Sequence, residues 1–348
     1  MTKNSLICNI INKHPNDWRE YFAENYDKIT VKENRNLSLF VYSIGANFND
    51  PVVQEARGII INTETCEVVC WPFRKFGKYY ESYADEIDWA TARVQEKIDG
   101  SIIKLWYNKL TNDWMWSTNS MIDANDANID GLKTVSFMDI IKQADNFHVI
   151  QKSIDDNALL MNTTYIFELV SPRTSVVIKH RMTRLFHIGT RSNITGNEMN
   201  ADIGIVKPRE FGIDNIDDCI KYADVINRNT LSHKISTCYM EGFVVVDANW
   251  HRIKVKSPIY VILHNIVTGS SVSKKLLIKL IHEDALDIDN ICKEFVEKGH
   301  WIRYYDFKYK EFIYQLNSFI NITRKIYDTS GNDRKAVANV IKVINLLR

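Results

Sequence analysis

Lys97-Ile98-Asp99-Gly100-Ser101, followed directly by a β-rich run over residues 102–107, is the stretch from which the rest of the chain can be read. It puts a lysine, a carboxylate and a turn-forming glycine into four residues. A lysine attacks only as the neutral amine, and at an ordinary pKa of ~10.4 roughly one in a thousand is neutral near pH 7.4. A nucleophilic role therefore calls for burial and converging cations that disfavour the ammonium. Alone, the four positions describe a solvated strand edge with a surface lysine equally well. Partner residues downstream decide between the two.

Three further segments come in order. Tyr165-Ile166-Phe167-Glu168-Leu169-Val170 sets one acidic residue in an apolar run, and Glu241-Gly242-Phe243-Val244-Val245-Val246 repeats the arrangement. Arg252-Ile253-Lys254-Val255-Lys256 then carries two lysines at strand spacing. Side chains at i and i+2 share a strand face, so Lys254 and Lys256 point the same way and can supply the positive field. An unpaired carboxylate in an apolar strand costs several kcal/mol to bury, roughly, so Glu168 and Glu241 each need a ligand, metal or cation.

This ordered set resembles the covalent nucleotidyltransferase superfamily of ATP-dependent ligases and mRNA capping enzymes, and within it the phage-type RNA ligase 1 family. Ser101 after the glycine, Glu55-Ala56-Arg57-Gly58-Ile59-Ile60, Pro72-Phe73-Arg74-Lys75-Phe76 and Tyr260-Val261-Ile262-Leu263-His264 all look like that family's pattern. The resemblance runs from about Arg57 to His264. It implies that Lys97 attacks the α-phosphate of ATP and that Asp99 sits beside the amine or in a metal shell. It also implies that Lys254 and Lys256 hold the α-phosphate, with Arg57, Lys75 and Arg74 on the outer phosphates. Glu168 would meet the ribose and Glu241 a divalent metal, Mg²⁺ or Mn²⁺. Gly100 belongs to the nucleotide-binding turn, Gln95 and Glu96 approach the adenine edge, Phe186 in Arg184-Leu185-Phe186-His187-Ile188-Gly189 is the stacking candidate, and Tyr260 is a further nucleotide contact. One departure stands out: the family's basic residue between the first two motifs is missing from Trp116-Ser117-Thr118-Asn119-Ser120.

RNA-facing candidates are the basic cluster Arg173, Lys179, His180, Arg181 and Arg184. Residues 301–310 interleave Arg303, Lys308 and Lys310 with Tyr304, Tyr305, Phe307 and Tyr309, a composition suited to stacking on single-stranded bases or to a helix core with snorkelling lysines. The implied partner is RNA with 5′-phosphate and 3′-hydroxyl ends, and the implied reaction is sealing through lysyl-AMP in RNA or tRNA repair. A capping guanylyltransferase or DNA ligase keeps the chemistry and changes the substrate. A non-catalytic RNA-end-binding protein keeps only the fold.

The 348 residues allow two domains. Hydrophobic content of 45% and charged content of 25% are those of a globular chain, and 44 basic against 43 acidic residues exclude a polybasic coat, so nucleic acid must meet a local groove. Six scattered cysteines, Cys8, Cys66, Cys70, Cys219, Cys238 and Cys292, form no metal-ligand spacing and read as free thiols in a reducing compartment. With no leader-like or membrane-spanning run, a cytoplasmic, soluble protein is expected, and it is taken as a monomer.

Helical spacing of Trp18, Tyr21 and Phe22 predicts a helix over 15–26 capped by Asn16. Short Val/Ile/aromatic runs predict strands over 37–44, 58–61, 66–71, 93–96, 102–107 and 114–118, with helices over 137–150 and 216–226. Beyond residue 257 apolar residues recur at three-to-four spacing, among them Leu276, Leu280, Ile291, Phe295, Phe312, Leu316, Ile320, Val340, Ile341 and Ile344, which predicts a helical bundle. The expected fold is α+β. Residues 1–260 form a nucleotidyltransferase (ATP-grasp-like ligase) domain of antiparallel sheets with flanking helices, and residues 261–348 an all-helical domain that serves RNA binding or specificity. A helical tail is unlike the OB barrel that follows the same motifs in DNA ligases and capping enzymes.

Overall fold

Antiparallel pairing organises most of the chain in this computed structural model, which describes residues 5–129, 134–227, 240–268, 273–284, 286, 288–294, 296–331, 333–335, 337–339 and 342. Cys238, Phe295, Val340, Ile341 and Ile344 lie outside the described residues.

The chain opens with helices α1 (Leu6–Lys13) and α2 (Trp18–Asn25), then strands β1 (Ile29–Asn34) and β2 (Leu37–Tyr42), a short helix α3 (Pro51–Glu55), and strands β3 (Arg57–Asn62) and β4 (Glu67–Cys70). The four strands form one sheet in sequence order. Ser5 starts α1 by accepting the Cys8 N–H on its hydroxyl, which satisfies one of the helix's orphan donors. Trp18, Phe22, Phe40 and Ile61 are buried between these helices and the sheet.

Next come β5 (Arg93–Glu96), β6 (Ser101–Asn108), β7 (Asp113–Thr118), helices α4 (Phe137–Lys142) and α5 (Phe147–Asp155), β8 (Thr163–Val170), β9 (Arg184–Ser192), β10 (Glu198–Met199) and β11 (Glu210–Phe211). Helix α6 (Ile216–Val225) and strands β12 (Gly242–Val246) and β13 (Arg252–Lys256) complete the β-rich part. The second sheet has the order β10-β9-β8-β6-β7 and the third β11-β5-β12-β13. Helices α4 and α5 cover Leu105, Trp116 and Phe167 of the second sheet, and α6 covers Phe243 and Val255 of the third. Leu39, Ile60 and Trp106 join the first sheet to the second. Each such buried side chain contributes roughly 1.5–3 kcal/mol relative to exposure.

Helix α7 (Pro258–Thr268) leads out of this part. By its internal contacts the chain divides into two compact units, the larger ending at His264 and the second running from Asn265. The second unit is helical: α8 (Lys274–His282), α9 (Ile288–Glu294) and the long α10 (Val296–Thr329), which packs against α8 and α9. No described helix is long and apolar enough to cross a membrane.

Several sequence expectations shift. The helix expected over 15–26 starts at Trp18 after Asp17 instead of being capped by Asn16, and the apolar stripe of α1 was missed. The helix expected over 137–150 is two, because the capping box of Ser136 and Asp139 starts one and the chain breaks around Asp145. On α10, Phe312, Leu316 and Ile320 are exposed, so helical spacing there does not mark a buried core. Tyr304 and Phe307 are exposed as well, while Arg303, Lys308 and Lys310 pair with Asp289, Glu311 and Asp306.

Candidate active site

The turn that carries Lys97 joins two sheets. Strand β5 pairs with β12, Glu96 opposite Phe243, and the Lys97 N–H extends that ladder by donating to the Gly242 carbonyl at 2.9 Å. The chain then crosses into β6, where Ser101 faces Leu169 and Ile102 faces Glu168. A Cβ on Gly100 would lie 2.5 Å from the Leu169 carbonyl oxygen, so the crossing needs a residue without one. Gly242 has φ of +141°, and a Cβ there would strike the Val255 carbonyl. Both glycines follow an acidic residue, and both let two strands approach where the charged side chains gather.

Glu241 is the hub. Its carboxylate accepts from the Lys97 Nζ at 2.8 Å and from the Lys256 Nζ at 2.7 Å, with only 4% of its side chain exposed. Burial pushes the Lys97 ammonium down, but Glu241 and Glu168 together outweigh burial and the Arg57 charge, so its pKa is raised. This corrects the expectation that converging cations strip the proton: in the chain by itself the carboxylates hold Lys97 as an ammonium. Lys256 is lowered by burial despite its bond to Glu241.

Lys254 behaves differently. Burial, then the charges of Lys75, Arg57, Lys256 and Lys97, bring it down to about 7. Its Nζ sits 5.5 Å from the centre of the Phe76 ring and has no carboxylate partner among the described residues. Glu168 is pushed up to about 7 by burial, with Lys97 opposing, and its carboxylate makes no hydrogen bond or ion pair among the described residues.

Lys97, Lys254, Lys256 and Glu168 line one cavity of about 160 Å³, while Glu241 lies behind the wall and reaches it through its two lysines. Arg57, Glu96, Lys97, Glu168, Lys254 and Lys256 from the sequence expectation all face it, as does Gln95, whose amide donates to Glu210. Sequence reasoning missed Arg252, Val244, Ile188 and Pro208 in its wall. Arg252 was within reach, because it lies two residues before Lys254 on the same strand face; its guanidinium is bound to Glu198 at 2.6 Å. Phe73 and Phe76, noted only as part of a motif, supply the apolar walls.

Other expected residues lie elsewhere. The Asp99 carboxylate is occupied by the Tyr260 hydroxyl at 2.8 Å and by the N–H groups of Val177 and Ile178 at 3.2 and 2.9 Å, and it does not line the cavity. The acidic groups in the cavity wall are Glu96 and Glu168. Tyr260 places its ring 5.1 Å from the Lys256 Nζ. Lys75 turns toward the rings of Tyr42 and Phe48, and its contribution is the charge it adds against Lys254. Phe186 stands opposite Glu168 on the sheet but is not in the cavity wall, where Ile188 appears instead. Arg74 is bonded to Gln54 and Asp85. Arg173, Lys179 and Arg181 are exposed between β8 and β9, whereas Arg184 is held by Asp145 in a two-pronged ion pair.

A family model described as RNA ligase matches residues 55–260, which covers every group in this cavity. The chain belongs to the RNA ligase family. The resemblance to phage-type members read from the motifs therefore holds. Over 298 residues it is 26% identical to a protein of Autographa californica nuclear polyhedrosis virus named as a putative bifunctional polynucleotide kinase/RNA ligase, covering 78% of this chain and 41% of that protein. It is 24% identical to an RNA ligase of Rhodothermus phage RM378, covering 74% of this chain and 70% of the relative. An archaeal ATP-dependent RNA ligase is similar in structure, with a TM-score of 0.48 at 12% identity over 98% of this chain and 90% of that one.

Proposed function

We propose that this chain is an ATP-dependent RNA ligase that joins 5′-phosphate and 3′-hydroxyl RNA ends in RNA repair. The observation that supports it is one cavity in which a half-buried lysine, Lys97, shares a carboxylate with Lys256 while Lys254 offers positive charge with no carboxylate of its own among the described residues. Phosphoryl transfer needs in-line placement and cancellation of charge on phosphate oxygens, and this chain's cations are arranged for it.

Lys97 first loses its ammonium proton to solvent and then attacks the α-phosphorus of ATP: a nitrogen–phosphorus bond forms, the bond to pyrophosphate breaks, and the nitrogen sheds a second proton to solvent. The adenylate then passes to the RNA 5′-phosphate and is released as AMP when the 3′-hydroxyl attacks. Lys254 and Lys256 hold the α-phosphate, and Arg57 faces the leaving pyrophosphate. Glu168, with no partner of its own among the described residues, accepts from the ribose hydroxyls. Glu241 would hold a divalent cation, Mg²⁺ or Mn²⁺, since such ions take one or two protein carboxylates together with substrate phosphates. That cation would neutralise triphosphate charge when bound. A Glu241 carboxylate so engaged would hold Lys97 as an ammonium less strongly, leaving Glu168 alone to oppose burial and the charges of Arg57, Lys254 and Lys256.

Residues 1–260 serve as the adenylyltransferase domain and the helical residues 261–348 as an RNA-specificity appendage. The five described cysteines, all unbridged, support work in the cytoplasm. Incubation with ATP labelled at the α-phosphate, with Mg²⁺ or Mn²⁺, is expected to mark the protein covalently, and RNA ends are expected to be sealed in preference to DNA ends. A wild-type chain that takes no label with either metal refutes the reading, and a label from GTP in place of ATP turns it toward capping.

A further inference from the structure

The connection between β8 and β9 is tied to the nucleophile's turn at more points than an exposed loop needs. Asp99 binds it twice over. Its carboxylate accepts from the N–H groups of Val177 and Ile178, and its main-chain carbonyl is met by His180 Nε2 at 2.6 Å. A carbonyl can only accept, so Nε2 carries the proton and donates. His180 is fastened at its own backbone too, its N–H donating to the Ser175 hydroxyl, which in turn donates to the Ser171 carbonyl.

The outer face of the same connection is of another character. Arg173, Lys179 and Arg181 are exposed, together with Val176 and Met182. Neither Arg173 nor Arg181 has a carboxylate partner among the described residues. Unpaired guanidinium groups beside exposed apolar side chains, anchored to the turn that bears Lys97, suit a single-stranded polyanion whose end must be brought to that lysine.

We propose that residues 172–182 grip the phosphate backbone of the RNA end and that His180 is the positioning residue that fixes this grip against the Lys97 turn. The inference rests on the RNA ligase reading above. Removal of the imidazole leaves Val177 and Ile178 held by the Asp99 carboxylate, the His180 N–H on Ser175, and the strand ladder at Lys97 intact, but takes away the side-chain tie between the Lys179–Arg181 stretch and the main chain of the Lys97 turn. Reaction of Lys97 with ATP is then kept while steps that need RNA suffer.

The test compares wild type, His180→Ala and His180→Gln in two assays: covalent labelling from α-labelled ATP, and sealing of a 5′-phosphorylated single-stranded oligoribonucleotide over a range of concentrations. For His180→Ala labelling is expected to stay within about twofold, while kcat/KM for the RNA falls about tenfold or more, chiefly through KM, the size of effect that losing one well-placed contact produces. His180→Gln, whose amide N–H can still donate to the Asp99 carbonyl, is expected to recover most of the loss. Sealing by His180→Ala at the wild-type level, a parallel fall in labelling and sealing, or a glutamine variant no better than alanine would each overturn the proposal. An unlabelled wild type would instead count against the ligase reading itself.

Discussion

Two cavities in the β-rich unit differ in a way that volume conceals. The roomier, about 340 Å³ beside α1, is lined by Cys8, Asn9, Asn12, Trp71 and Asn162. Its charged residues, Glu67 and Lys109, pair with each other at 3.6 Å, and burial raises both of its thiols, Cys8 and Cys66, away from the reactive thiolate. The smaller, about 160 Å³, holds Arg57, Lys97, Lys254 and Lys256 against Glu168 and Glu96, with Lys254 and Glu168 both brought to about 7. A cavity whose charges cancel rests, whereas one left with uncompensated cations and a partnerless carboxylate is built for an anion that also carries hydroxyls.

Loss of the nucleophile breaks that contrast most completely: Lys97→Ala is expected to take no label from α-labelled ATP, as read by radioactivity on a denaturing gel, with its fold intact by circular dichroism. Next is the uncompensated cation. Lys254→Met should lower the labelling rate by about 10²–10³-fold, the usual scale for removing one preorganised transition-state contact, and Lys254→Arg should recover part of it. Equal rates for methionine and arginine would mean that charge at this position is not what the site uses.

Stability against pH sharpens the comparison at a smaller scale. Glu168 keeps its proton to about pH 7 in the folded chain against an ordinary 4.5, so the folded state binds more protons and stability falls as pH rises between those values. Lys254 acts in the next window: its folded value of about 7 lies below the ordinary 10.5, the unfolded state binds more protons, and stability rises from about pH 7 upward. In the ligand-free protein these two groups should therefore contribute least to stability near neutrality. Glu168→Gln should flatten the lower limb and Lys254→Met the upper, measured by scanning calorimetry in the absence of nucleotide. The smallest effect belongs to the other cavity, where Ile194→Ala is expected to change labelling by less than twofold; a large loss there would erase the distinction between the two.

The types and order of the charged residues in the smaller cavity were legible in the sequence because strand alternation is a local property. Lys254 and Lys256 share a face whatever surrounds them, and Gly100 and Gly242, each directly behind an acidic residue or one of its neighbours in a β-rich run, mark the places where a backbone needs room. Who binds whom was not legible. Glu241 meets Lys97 across 144 positions of chain, and only the pairing of β12 with both β5 and β13 brings its one carboxylate to two lysines at once. Asp99, read as a partner of the nucleophile, is claimed instead by Tyr260 and the β8–β9 connection, since three donors converge on it first. Chemistry-bearing residue types are set by the chain alone, while their protonation and their partners depend on burial and on distances that exist only once the sheets have closed.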